Sequence, residues 1–156
     1  MIAYRYNRSN MSEIGWVVPL TPQSLPNELV TAIGHLALSF AGAENAVVHC
    51  LAGGKSDGEI KRLHENSFRK NLDALCKKHP SLSEQIREMR ADALSRNTIM
   101  HGFLFSTVFS TQATIEDAQH TAINRAYDGH SQNLTLDELE RLSRKAMAFA
   151  VIAVSN

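Results

Sequence analysis

Apolar residues recur every three or four positions in several separate stretches of this chain, and that spacing commits most of it to amphipathic helices. The first helix is expected to begin near Ser24 to Asn27, with Pro26 tolerated in its first turn. Its apolar stripe is Leu29, Ile33, Leu36, Phe40, Val47 and Leu51, and Gly53-Gly54 ends it. Ala41, Gly42 and Ala43 leave room for another helix to approach closely. A second helix is predicted from about Asp57 to Lys78, on an i, i+4 row of Ile60, His64, Phe68, Leu72 and Cys76 with Leu63 and Leu75 beside it. His79-Pro80 stops it, because proline disfavours helical geometry in the residue before it.

Ser81-Leu82-Ser83-Glu84 has the pattern of a capping box for a third helix, in which a serine side chain and a glutamate satisfy each other's free backbone N–H groups. Its expected buried stripe is Ile86, Met89, Ala93, Asn97 and Met100, and Gly102 is placed to end it. Thr135-Leu136-Asp137-Glu138 is another such box, with Leu134 and Leu139 at the hydrophobic-staple positions around it. The last helix then reads Leu139, Leu142, Ala146, Phe149 and Ala153. After Ala146 it is apolar on most sides, which puts it at the centre of the fold or at an oligomer interface.

Two stretches break the pattern. The first 22 residues hold no helical period, and Trp16 to Val18 is either a short strand or a segment lying on the helices. Phe103 to Phe109 and Gln119 to Tyr127 are candidate strands of a hairpin, closed by the turn signal Asp128-Gly129. The expected fold is therefore mainly α, an antiparallel four-helix bundle with a small β-hairpin or irregular insert before the last helix. Residues 1–23 form an N-terminal extended segment, and residues 24–156 a helical domain with its insert at about 103–134.

Length and composition narrow the function. The chain of 156 residues, 44% of them hydrophobic, suits one compact domain. Its formal net charge is zero, so the protein as a whole does not attract nucleic acid. A binding site for RNA has to be a local basic patch. Lys61, Arg62, Arg69, Lys70, Lys77, Lys78, Arg87, Arg90 and Arg96 outnumber the acidic residues between Lys61 and His101, although a pair of solvated helix faces has the same composition. Cys50 and Cys76 sit among apolar residues and read as buried free thiols. The polar start, Met1 to Asn10, lacks the apolar core of a signal peptide. The most apolar helical stretch, Leu29 to Leu51, is broken by His35, Glu44, Asn45 and His49 and is not a membrane span. A cytoplasmic location is the expectation. No metal-binding spacing joins the histidines and cysteines, and no nucleotide-binding glycine motif is present, so no metal or cofactor is expected.

The residues that carry chemistry are concentrated in Arg96-Asn97-Thr98-Ile99-Met100-His101-Gly102, at the end of the third predicted helix. Arginine offers a planar fork of donors to a phosphate, and histidine is the side chain suited to moving protons near neutral pH. The spacing R-N-x-x-x-H, with helices on both sides over about residues 24 to 154, resembles the signature of the HEPN superfamily, small helical proteins that include metal-independent ribonucleases. The resemblance implies that Arg96, Asn97 and His101 form the catalytic set. It also implies a homodimer, with the motif helices of two subunits meeting in one composite site. Helix geometry favours the same arrangement, since residues five apart lie roughly 140° apart around the axis. Arg96 and His101 of one chain do not share a face, whereas Asn97 and His101, four apart, do.

The implied reaction is attack of a ribose 2′-OH on the adjacent phosphorus, with departure of the 5′-oxygen and formation of a 2′,3′-cyclic phosphate. His101 is then the general base or acid, Arg96 the clamp on the scissile phosphate, and Asn97 an orienting group. The expected partners are an RNA substrate, a second copy of the chain, and an antitoxin or regulatory protein of a defence system. Family members neutralised by modification often carry a tyrosine two residues after the histidine; here that residue is Phe103, which has no hydroxyl to modify. The alternative is a non-catalytic member, acting as a binding or regulatory module through its dimer surface. The motif residues also have ordinary structural uses: Asn97 pairing with core backbone, His101 capping its helix, and Arg96 bridging to Glu44 or Glu65. Glu44 lies mid-helix among small and apolar residues, and a carboxylate there wants a cation such as Arg96.

Overall fold

The computed structural model describes residues 16–19, 25–108, 119–124 and 130–156, and these are mainly helical. The helices are α1 (Asn27–Ala52), α2 (Asp57–Glu65), α3 (Phe68–Lys78), α4 (Ser83–His101) and α5 (Leu136–Val154), and the strands β1 (Trp16–Pro19), β2 (Phe103–Val108), β3 (Gln119–Asn124) and β4 (His130–Asn133). Most of the extended segment expected over residues 1–23, and the turn expected at Asp128-Gly129, lie outside the described residues. The chain divides into two compact units, Met1–Ile33 with Asn97–Leu139, and Gly34–Arg96 with Glu140–Asn156.

The first unit holds the sheet, ordered β1-β2-β3-β4 with every neighbouring pair antiparallel. The hairpin partners expected around Phe103 and Gln119 do pair, with Phe103 opposite Ile123 and Thr107 opposite Gln119. The sheet is larger than a hairpin, because Trp16 pairs opposite Val108 on one edge and Asn133 opposite Thr121 on the other. Ala122, Leu134 and Leu139 are buried here, along with Leu25 and Leu29 at the start of α1. At the entry to α5 the hydroxyl of Thr135 accepts the Glu138 N–H at 3.2 Å, as its capping-box pattern predicts. The Glu138 carboxylate accepts from the Gln132 amide at 2.9 Å, which ties the end of β4 to the helix.

Among the described residues, the second unit contains most of the buried apolar side chains. On α1 these are Leu36, Phe40, Ala43, Val47 and Leu51, close to the expected stripe. The helix stops at Ala52, where Gly54 adopts φ 74°, a left-handed conformation that glycine takes without a side-chain clash. On α5 the predicted seam continues from Leu139 of the first unit: Leu142, Ala146, Phe149 and Ala153 are all buried. Beyond Ala146 its other faces are open, with Met147, Val151 and Val154 exposed.

The single helix expected from Asp57 to Lys78 is instead two helices with an elbow at Asn66-Ser67. Asn66 is extended, at φ −72° and ψ 150°, and Ser67 caps α3 by accepting the Lys70 N–H on its hydroxyl. Asn71, buried in α3, explains why the break is tolerated. Its amide donates to the Leu63 carbonyl at 2.8 Å, one of the acceptors left open where α2 ends. Its carbonyl oxygen accepts from the Asn66 amide at 3.2 Å. The elbow also changes the buried row, which becomes Leu63, Leu72 and Leu75, leaving His64 exposed and Cys76 half-buried. The capping box expected at Ser81-Glu84 gives way to a single 3-10 turn over Pro80–Leu82, from which α4 continues at Ser83. An unpredicted box closes the start of α2, where Glu59 accepts the Ser56 N–H at 3.0 Å and its hydroxyl at 2.8 Å.

Replacing Asn71 with alanine strands the Leu63 carbonyl. The expected loss is about 1–3 kcal/mol in urea unfolding, the range for a buried group deprived of its partner. The Ser56 backbone N–H, and secondarily its hydroxyl, hold the Glu59 carboxyl below its ordinary pKa. Because the folded value is depressed, the box is fully formed above the ordinary glutamate range and is lost as pH falls through the folded value. An NMR titration is expected to show the Ser56 amide resonance following that transition in the wild type and not in Glu59→Gln.

Candidate functional site

The three motif residues all ride on α4, but not in the same setting. Arg96 ends its part of the second unit, and its guanidinium Nη2 lies 2.7 Å from Oε1 of Glu44 on α1. Its central carbon sits 5.5 Å from the centroid of the Phe40 ring. Phe40 and Glu44 are four residues apart on α1, so they stand on one helix face and take the guanidinium between a π surface and a carboxylate. Phe40 is itself fully buried and meets Phe68 edge-to-face, with ring centroids 6.5 Å apart at 87°. The partnership expected between Glu44 and Arg96 is therefore present. The Arg96 side chain keeps 20% of its surface exposed and that of Glu44 keeps 39%, so the pair is neither sealed off nor fully solvated.

Asn97 and His101 belong to the first unit. His101 is the last residue of α4 and is exposed. The helix closes behind it through a bond from the Gly102 N–H to the Thr98 carbonyl at 2.8 Å. Asn97, expected in the buried stripe, is only half-buried, and Met100 from the same stripe is exposed. Thr98 and Ile99 are buried in their place. In the second unit, α4 also turns a carboxylate inward: Asp92 is buried, facing Arg141 at 3.5 Å and Lys145 at 3.6 Å from α5. No sequence period marks a position that is buried through ion pairing.

Several cations of the basic segment have partners. Lys61 pairs with Glu65, Arg87 with Glu84, Arg90 with Asp73 and Arg96 with Glu44. Lys78 donates to the Cys50 carbonyl. Cys50 and Cys76 are free thiols as expected, but half-buried and not buried. Among the described residues no group of three or more His, Cys, Asp or Glu side chains is placed to hold a metal, and no helix is long and apolar enough to cross a membrane. A groove of about 600 Å³ in the second unit is lined by Gly42, Ala46 and His49 of α1 and by Ala150, Val151 and Val154 of α5. It is apolar and open, and it carries no charged fork for a phosphate. No protein-family model, curated protein or solved structure matches the chain.

If the Arg96–Glu44 contact is an energetic pair and not a chance approach, a double-mutant cycle of Arg96→Met and Glu44→Gln is expected to give a coupling of about 1 kcal/mol, that of a partly exposed ion pair. Additive effects in urea unfolding would show that neither charge depends on the other.

Proposed function

We propose that this chain is a metal-independent endoribonuclease of HEPN type, acting as a homodimer in which the α4 helices of two subunits bring Arg96 of one chain to His101 of the other. In this reading α1, the α2–α3 pair, α4 and α5 form the arms of a four-helix bundle, and the sheet is the insert. The observation that carries it is the contrast on α4. Arg96 is held in one orientation by Glu44 and Phe40, while His101 stands exposed at the helix end. A phosphate clamp needs a fixed guanidinium, because an ordered donor loses little entropy when the substrate arrives. A proton-transfer group has to reach solvent and substrate, and the exposure of His101 supports that role. Asn97 lies one helical turn before His101, the position from which an amide can orient an imidazole or a phosphate oxygen. The proposed setting is a toxin or phage-defence system with a regulatory partner.

One observation favours a second reading. The Glu44 carboxylate already takes up charge that a catalytic Arg96 has to offer to phosphate. A non-catalytic binding module of the same fold would keep that pair for structure alone. The exposed row Met147, Val151 and Val154 on α5 is a candidate for its contact surface.

Cleavage of mixed RNA by the purified protein in EDTA separates the two. The enzyme reading expects 2′,3′-cyclic phosphate ends, no cleavage of DNA, and at least a roughly hundredfold loss of rate in Arg96→Ala and His101→Ala. Folded dimeric wild-type protein that leaves every RNA tested intact favours the binding module. Equal cleavage by all three proteins rules out the α4 site.

A further inference from the structure

Away from α4, the end of α3 meets the end of α1 around a thiol. The Cys50 Sγ lies 3.7 Å from Nε2 of His79, and the Lys78 ammonium donates to the Cys50 carbonyl at 2.7 Å. All three residues belong to the second unit. The imidazole is placed by a fixed stretch of backbone, since the His79 N–H donates to the Leu75 carbonyl at 2.8 Å and its carbonyl accepts from the Leu82 N–H at 3.0 Å. Pro80 follows it and fixes the turn. Cys50 and His79 are both half-buried.

A cysteine near a helix C-terminus normally faces the negative end of the macrodipole, which opposes formation of a thiolate. Here the carbonyl of Cys50 itself, one of the last four of α1, accepts a hydrogen bond from the Lys78 ammonium. His79 supplies a base within reach of the thiol proton. Cys76, on α3 and also half-buried, provides an internal comparison in the same chain.

We propose that Cys50 is a thiol-modification site, activated by His79 and Lys78, that takes a small-molecule disulfide of the glutathione class. Nε2 of His79 accepts the proton from Sγ, and the sulfur attacks one sulfur of the disulfide. A protein–glutathione S–S bond forms as the original S–S bond breaks. The departing glutathione thiolate takes the proton back from the imidazolium, so the products are the mixed disulfide and one free thiol. The incoming disulfide is the oxidant and no other is needed. This inference is independent of the α4 site and stands whether or not the chain cuts RNA.

The test incubates the whole protein with oxidised glutathione and follows modification of each cysteine by peptide mass spectrometry. In the folded wild type Cys50 is expected to be modified at least roughly tenfold faster than Cys76, and the two rates to converge in denaturant. His79→Gln is expected to slow Cys50 by about tenfold and leave Cys76 unchanged, with the fold checked by circular dichroism. Lys78→Gln alters an exposed side chain and serves if the histidine variant does not fold; it too is expected to slow Cys50 alone. Equal rates at the two cysteines in the folded wild type overturn the proposal. So does a folded His79→Gln, or Lys78→Gln in its place, that modifies Cys50 at the wild-type rate.

Discussion

Asp92 is nearly out of solvent on α4, and an ionised carboxylate in that position is tolerated only with cations beside it. Arg141 and Lys145 of α5 supply them, and Lys145 reaches Glu88 one turn earlier at 3.5 Å. The same helix pairs Arg90 with Asp73 of α3 and Arg96 with Glu44 of α1. Within the second unit α4 is thus fastened to three other helices by charge. Asp92 alone among these groups is buried; the other pairs are partly exposed and worth about 1 kcal/mol or less each, but together they tolerate only a narrow range of geometry. Such a network sets the rotation of a helix more sharply than an apolar stripe, which can slide. Where Arg96 points follows from that rotation.

Much of the helical framework was readable from period alone. The start of α1, its stop before Gly54 and the whole seam of α5 follow from apolar spacing and local caps. The α2–α3 elbow was not readable, because its cause is a side chain and not a period. Asn71 looks like any polar residue on a helix until its amide is seen on the Leu63 carbonyl. The pattern Ser56-x-x-Glu59 is a capping-box signal present in the sequence at the start of α2. β4 carries no β-branched residue in His130–Asn133, and its extension comes from pairing with β3. On α4 the polar residues Asp92 and Thr98 are buried, whereas Asn97 and Met100 of the expected stripe are not, and apolar period does not mark either buried position.

For the candidate site, the sequence identified the residue types and one true partner, Glu44, from the need of a mid-helix carboxylate for a cation. The contribution of Phe40 was hidden, because a buried phenylalanine in an apolar stripe reads only as core. In the structure it is also the surface on which the Arg96 guanidinium rests. A single aromatic side chain thereby links core packing to the orientation of the arginine, and its neighbour across the core, Phe68, is the first residue of α3 just past the elbow. Apolar packing, the break in the second helical segment and the setting of Arg96 are parts of one arrangement.

The order of the sheet bears on how the chain matures. β1 occupies the edge beside β2, although the whole of α1 to α4 separates the two in sequence. During synthesis Trp16–Pro19 emerges first, and its hydrogen-bonding partner emerges only after those helices are made. Closing so long an intervening loop costs entropy that short-range helix formation does not, so non-local pairings of this kind lag behind local ones. The helices are therefore free to form on the nascent chain while the first strand waits, and β1 joins the sheet as a late annealing step and not as its nucleus.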